Sequence, residues 1–78
     1  MTIRLAILGS TGSIGANALK VVSGLKDRFE IAALSADSNV KLISRQAASF
    51  RPKVICVGDE SLVNETRGLV PKSTRIVF

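Results

Sequence analysis

Seventy-eight residues, 46% of them apolar, supply one small hydrophobic core and little more. The net charge of +5 is spread singly from Arg4 to Arg75 with only Phe29, Phe50 and Phe78 as aromatics, a poor match to a nucleic-acid surface built from basic tracts and stacking rings. A single cysteine and no histidine exclude an internal disulfide, a Cys/His zinc site and a Cys–His nucleophile, and with no long apolar span or signal-peptide pattern the expectation is an intracellular protein without a membrane partner.

The first strand is expected over Ile3 to Leu8, apolar at nearly every position, as a parallel strand covered on both faces would be. Gly9-Ser10-Thr11-Gly12-Ser13-Ile14-Gly15 follows it directly. A Gly-x-x-Gly-x-x-Gly loop between a strand and a helix suits a dinucleotide. Glycines permit the sharp turn, the close approach of a pyrophosphate and tight helix–strand contact. The N–H groups at the helix start, with the helix dipole, then hold the phosphates. The hydroxyls of Ser10, Thr11 and Ser13 can add hydrogen bonds, or Thr11 and Ser13 can cap the helix.

The first helix is expected from about Ile14 to Lys26, with Ile14, Ala18, Val21 or Val22, and Leu25 on its inner face. Glu30 to Ser35 reads as the second strand. Asp37-Ser38-Asn39 then offers turn and cap chemistry before a helix over Val40 to Phe50, whose inner face is Val40, Ile43, Ala47 and Phe50. Arg51-Pro52 ends it. A third strand spans Lys53 to Val57 and buries Cys56. Asp59 or Ser61 caps a third helix carrying Leu62, Thr66 and Leu69 up to Pro71, and a fourth strand runs from Thr74 to Phe78.

This β-α-β-α-β-α-β order means an α/β fold with a parallel sheet and right-handed crossovers: a Rossmann-like, doubly wound sheet, of which 78 residues are only the N-terminal part. Ligands bind such sheets at the carboxyl ends of the strands, so the loops after strands one and two are expected to face one crevice. Asp37 lies 22 residues after Gly15, where an acidic residue accepts from the adenosine ribose. By itself it favours NAD; Ser38 and Asn39 are polar enough to take the extra phosphate of NADP instead. The other reading of Asp37 is a cap on the second helix. No general acid, base or metal ligand is assigned: Asp59 and Glu60 are explained by capping and the helix dipole.

Leu8-Gly9-Ser10-Thr11-Gly12-Ser13-Ile14-Gly15 resembles the N-terminal signature of the 1-deoxy-D-xylulose 5-phosphate reductoisomerase family. Ala33 to Val40, Phe50-Arg51-Pro52 and Asp59-Glu60-Ser61-Leu62 resemble later segments of the same family, so the likeness covers essentially the whole chain. The resemblance implies NADPH as cofactor and a divalent metal, Mg or Mn, in the complete enzyme. It implies rearrangement and reduction of 1-deoxy-D-xylulose 5-phosphate, a phosphosugar, to 2-C-methyl-D-erythritol 4-phosphate in non-mevalonate isoprenoid biosynthesis. It also implies a homodimer when complete, in the bacterial cytoplasm or the plastid stroma. The cofactor contacts it implies fall on Thr11, Gly12, Ser13 and Ile14, then on Asp37, Ser38 and Asn39. Metal and substrate ligands are expected beyond Phe78. On this reading residues 1–78 are a partial dinucleotide-binding domain, with the rest of the enzyme absent and the segment inactive alone. Asp37 departs from the family, which usually has glycine there. The alternatives are another NAD(P)-dependent oxidoreductase, such as a semialdehyde dehydrogenase-like protein, or a non-catalytic nucleotide-binding module.

Overall fold

Four strands pair in the order in which they are made. The computed structural model describes residues 2–78. Strands β1 (Ile3–Ile7), β2 (Phe29–Ala36), β3 (Val54–Val57) and β4 (Arg75–Val77) form one parallel sheet in sequential order. Helix α1 (Ser13–Ser23) joins β1 to β2 and α2 (Val40–Phe50) joins β2 to β3. Between β3 and β4 a 3-10 turn at Glu60–Leu62 runs into a short α3 (Val63–Arg67). Right-handed crossovers that always step in one direction put every helix on one face of the sheet. The burial pattern agrees: Ile31, Leu34, Ala36, Ile55 and Val57 are buried beneath the helices.

The core joins Leu19 and Val22 of α1, Ile31, Leu34 and Ala36 of β2, Ile43 and Ala47 of α2 and Ile55 of β3. Each fully buried Leu or Ile here contributes about 1.5–3 kcal/mol. Between Leu5 and Ala6 the β1–β2 register slips by one residue, leaving Ala32 without a partner on β1. This slip lets Ile31 and Leu34, three apart, face the same side, which strict alternation forbids.

The opposite face of the sheet is uncovered. Ala6, Ala33, Val54 and Arg75 form a register row across all four strands, and Ser35, Cys56 and Val77 form the next. Two expectations fail here. The first strand is not covered on both faces: Ile3 is 55% exposed, and Leu8 lies beyond the strand at 82%. Cys56 is half-buried on the open face, because Ile55 and Val57 take the helix side.

The helices also differ from expectation in instructive ways. α1 buries Gly15, Leu19 and Val22, while Ile14 is 87% and Val21 64% exposed. Of the expected inner residues the Val22 alternative holds, while Gly15 and Leu19 replace Ile14 and Ala18 as the buried line, and the helix ends at Ser23, with Gly24 as its C-cap, rather than at Lys26. α2 has the expected bounds and buries Val40, Ile43 and Ala47, together with Ser44 and Gln46. Asp59 does cap the third helical segment, accepting from the Ser61 N–H at 3.0 Å. That segment stops at Arg67, so Leu69 is exposed; Thr66 is buried with its hydroxyl donating to the Leu62 carbonyl.

Candidate functional site

The loop after β1 is held from beneath by groups far away in sequence. The Gly9 N–H donates to Ser35 Oγ at 2.9 Å, and the Ser10 N–H donates to the Ser35 carbonyl at 2.8 Å. Ser10 is fully buried, and its hydroxyl also donates to the Ser35 carbonyl. Gln46 Nε2, from α2, donates to the Ser10 carbonyl at 2.8 Å. The Ser10 hydroxyl therefore faces inward, contrary to its expected place among the phosphate contacts. Ser35 and Gln46 are positioning groups that the sequence did not reveal.

Each glycine of the loop has a different physical reason. Gly9 has φ +69°, a left-handed turn that other residues resist. Gly15 sits where a Cβ would lie 2.7 Å from Ser10 Cα and would strike the Gly9 carbonyl oxygen, so only glycine lets α1 start against the loop. At Gly12 a Cβ would meet only the Gly9 oxygen, at 3.4 Å, with open space beyond. The fold itself therefore does not require glycine at position 12, unlike positions 9 and 15.

Gly12 is the N-cap of α1, and no side chain caps this helix among the described residues. The first intrahelical bond runs from the Ala16 N–H to the Gly12 carbonyl, so the Ser13 and Ile14 N–H groups ahead of that donor have no partner within the helix. Both residues are exposed, as is Gly12, while Thr11 is half-buried. The capping reading of Thr11 and Ser13 is thus overturned: their hydroxyls are not spent on the helix. A cleft of about 420 Å³ opens beside these groups, between Ile7 and Leu8 on one side and Gly12, Ile14 and Ala18 on the other.

The second candidate cluster stands at the end of β2. Asp37, Ser38 and Asn39 are all exposed. Asn39, not Asp37, caps α2: its Oδ1 accepts from the Leu42 N–H at 3.2 Å. Asp37 is freed from that role and is held instead by the residue that follows β3, its carbonyl accepting from the Gly58 N–H at 2.9 Å. A Cβ on Gly58 would come within 2.6 Å of the Asp37 carbonyl oxygen and would collide with its carboxylate. Gly58 is therefore a further determinant of where Asp37 sits.

Both clusters stand at the carboxyl end of adjacent strands, linked through Ser35. No residue of 37–39 lines the cleft beside Gly12, which is bounded by the end of β1, the glycine loop and α1. Among the described residues no three His, Cys, Asp or Glu side chains gather as a metal site, and no helix is long and apolar enough to cross a membrane.

Comparison with known proteins gives one result throughout. Residues 5–77 match the family model described as 1-deoxy-D-xylulose 5-phosphate reductoisomerase. The protein of that name from Chloroherpeton thalassium is 52% identical over 67 residues, which are 86% of this chain and 17% of that protein. The chloroplastic one from Mentha piperita is 46% identical over 63 residues, 81% of this chain and 13% of the relative. Among solved structures, a 1-deoxy-D-xylulose 5-phosphate reductoisomerase from Zymomonas mobilis in complex with NADPH superposes with a TM-score of 0.93 at 29% identity, covering 99% of this chain and 21% of that one. A reductoisomerase complex with NADPH, fosmidomycin and magnesium gives 0.84 at 32% identity, covering 96% and 19% respectively. The chain thus spans about a fifth or less of the length of these relatives.

Proposed function

The chain belongs to the 1-deoxy-D-xylulose 5-phosphate reductoisomerase family, and from that premise we propose that residues 1–78 form part of its NADPH-binding domain. The observation that carries this reading is the start of α1: no side chain caps it, Ser13 and Ile14 are exposed, and Gly12 leaves open space that the fold does not itself require. The similarity to a reductoisomerase solved with NADPH supports it.

In this reading the pyrophosphate sits against Thr11, Gly12, Ser13 and Ile14. The N–H groups of Ser13 and Ile14 and the helix dipole replace part of its hydration shell, while the Gly12 N–H stays on the Gly9 carbonyl and Gly12 contributes space. Asp37, Ser38 and Asn39 take the adenosine ribose and its 2′-phosphate. The bound NADPH supplies the hydride for a complete enzyme that converts 1-deoxy-D-xylulose 5-phosphate to 2-C-methyl-D-erythritol 4-phosphate. Substrate phosphosugar, divalent metal and dimer contacts are assigned to parts of the enzyme outside these residues. The compartment is the bacterial cytoplasm or the plastid stroma, since the relatives include bacterial and chloroplastic proteins.

Asp37 sets the severest condition on this reading. A carboxylate about 4 Å from a phosphate in an exposed site costs on the order of 1 kcal/mol. Lys41, the second residue of α2, is a cation near enough in sequence to offset it. The test is a parallel titration of the intact protein with NADPH and NADH. Tighter NADPH binding is expected, and Asp37→Gly raises the preference by about fivefold. Tighter NADH binding would reject NADPH as the cofactor; binding of neither would reject the nucleotide site.

A further inference from the structure

We propose that Gln46 is a positioning residue for the nucleotide loop, acting with Ser35 as a latch that holds the Gly9–Gly12 turn in its binding shape. The proposal rests on the nucleotide reading of that loop, but its structural basis is independent of it.

Gln46 is a middle residue of α2, 92% buried by its 8% exposure, and its amide is only half used. Nε2 donates to the Ser10 carbonyl, 36 residues away, while Oε1 is buried with no partner. A buried, unpartnered acceptor is a cost, and an apolar side chain at this position would avoid it. What the amide gives in return is a grip on a carbonyl that none of the described backbone N–H groups outside helices and strands takes. Ser35 grips the same turn from the other side, through Gly9 and Ser10. The turn is thus clamped between β2 and α2 at the two residues that precede its exposed part. Neither clamp touches the cleft beside Gly12. Both act through the path of the backbone, which decides whether the Ser13 and Ile14 N–H groups converge on one point.

The latch and ordinary core packing give different results on substitution. Gln46→Leu removes the orphan Oε1 and orphans the Ser10 carbonyl, exchanging one buried unpaired acceptor for another. The melting temperature is therefore expected to stay within a few degrees of the parent. NADPH affinity, read by the cofactor's fluorescence in the intact protein, falls about tenfold, the effect of one lost hydrogen bond on a preorganised site. Adenosine 2′-monophosphate lacks the pyrophosphate and binds with unchanged affinity. Ser35→Ala gives the same pattern and serves if Gln46→Leu fails to fold. Equal loss of both ligands would reduce Gln46 to a packing residue, and unchanged NADPH affinity would overturn the latch outright. Should the parent protein bind neither ligand, the nucleotide reading has failed, and amide exchange decides the latch by itself. Exchange at Ser10 and Gly12 is expected to quicken about tenfold in Gln46→Leu; unaltered exchange would overturn it.

Discussion

Gly12 and Gly15 are one helical turn apart and respond to alanine in opposite ways. At Gly15 a methyl group meets the backbone of Gly9 and Ser10, which cannot swing aside as a flexible side chain would. Helix propensity would gain at most about 1 kcal/mol from the change, against about 1–3 kcal/mol for overpacking and more where backbone must shift. The clash wins, so Gly15→Ala lowers the melting temperature measurably. At Gly12 the same methyl has room in the protein, so Gly12→Ala keeps its melting temperature within a few degrees. It loses NADPH affinity by at least about tenfold, because the methyl occupies the space of the pyrophosphate. Calorimetry and fluorescence titration of the two variants read both halves of this contrast. The spacing of the glycines was plain in the sequence, but the division of labour among them was not. It follows from three-dimensional neighbours: Gly9 for Gly15, open space for Gly12.

Among the elements, α2 is the one whose bounds the sequence defined to the residue, because both ends carry local chemistry. Asn39 supplies the N-cap and Arg51-Pro52 the stop. Arg51 closes the helix in the left-handed region at φ 47°, which costs an L-residue about 1–2 kcal/mol. Arg51→Gly removes that strain but loosens the unfolded chain, for a net gain of about 0.5–1 kcal/mol in a denaturant midpoint. Asn39→Ala acts in reverse, losing about 0.5–2 kcal/mol with the cap. The stripe of α1 was legible only to within one residue. Its true inner line begins at Gly15, and hydrophobic periodicity does not count a glycine as interior, whereas Ile14 and Val21 on the outside look like core. Gln46 and Ser35 were not legible for a related reason. Their partners lie 36 and 26 residues away, and nothing in a single sequence pairs an amide in one helix with a carbonyl in a distant turn.

For the whole molecule, the one-sided sheet governs behaviour. Helices cover one face; the other presents Ala6, Ala33, Val54, Cys56 and Val77, with Leu8 and Phe78 exposed at 82% and 68%. The Arg4–Glu30 ion pair, 2.7 Å and largely solvated, sits on the β1–β2 pair and contributes at most about 1 kcal/mol. β1 adds an unpaired strand edge. The 78-residue chain by itself is therefore expected to associate as its concentration rises, through apolar surface that a small domain leaves uncovered. Sedimentation velocity over a hundredfold range of concentration reads this directly; a single monomer boundary throughout would contradict it.

The strand order has a consequence in time. Each strand pairs with the one made just before it, so every long-range contact in the sheet closes over a single short crossover, an arrangement that favours rapid folding. As the chain leaves the ribosome, β1, α1 and β2 can assemble before β3 exists. The nucleotide turn lags behind them. Ser35 arrives with β2, but Gln46 emerges eleven residues later, so the turn after β1 gains its bond from Gln46 to the Ser10 carbonyl only once the second helix has docked. A loop encoded near the beginning thus gains its last tertiary hydrogen bond from a residue in the middle of the chain.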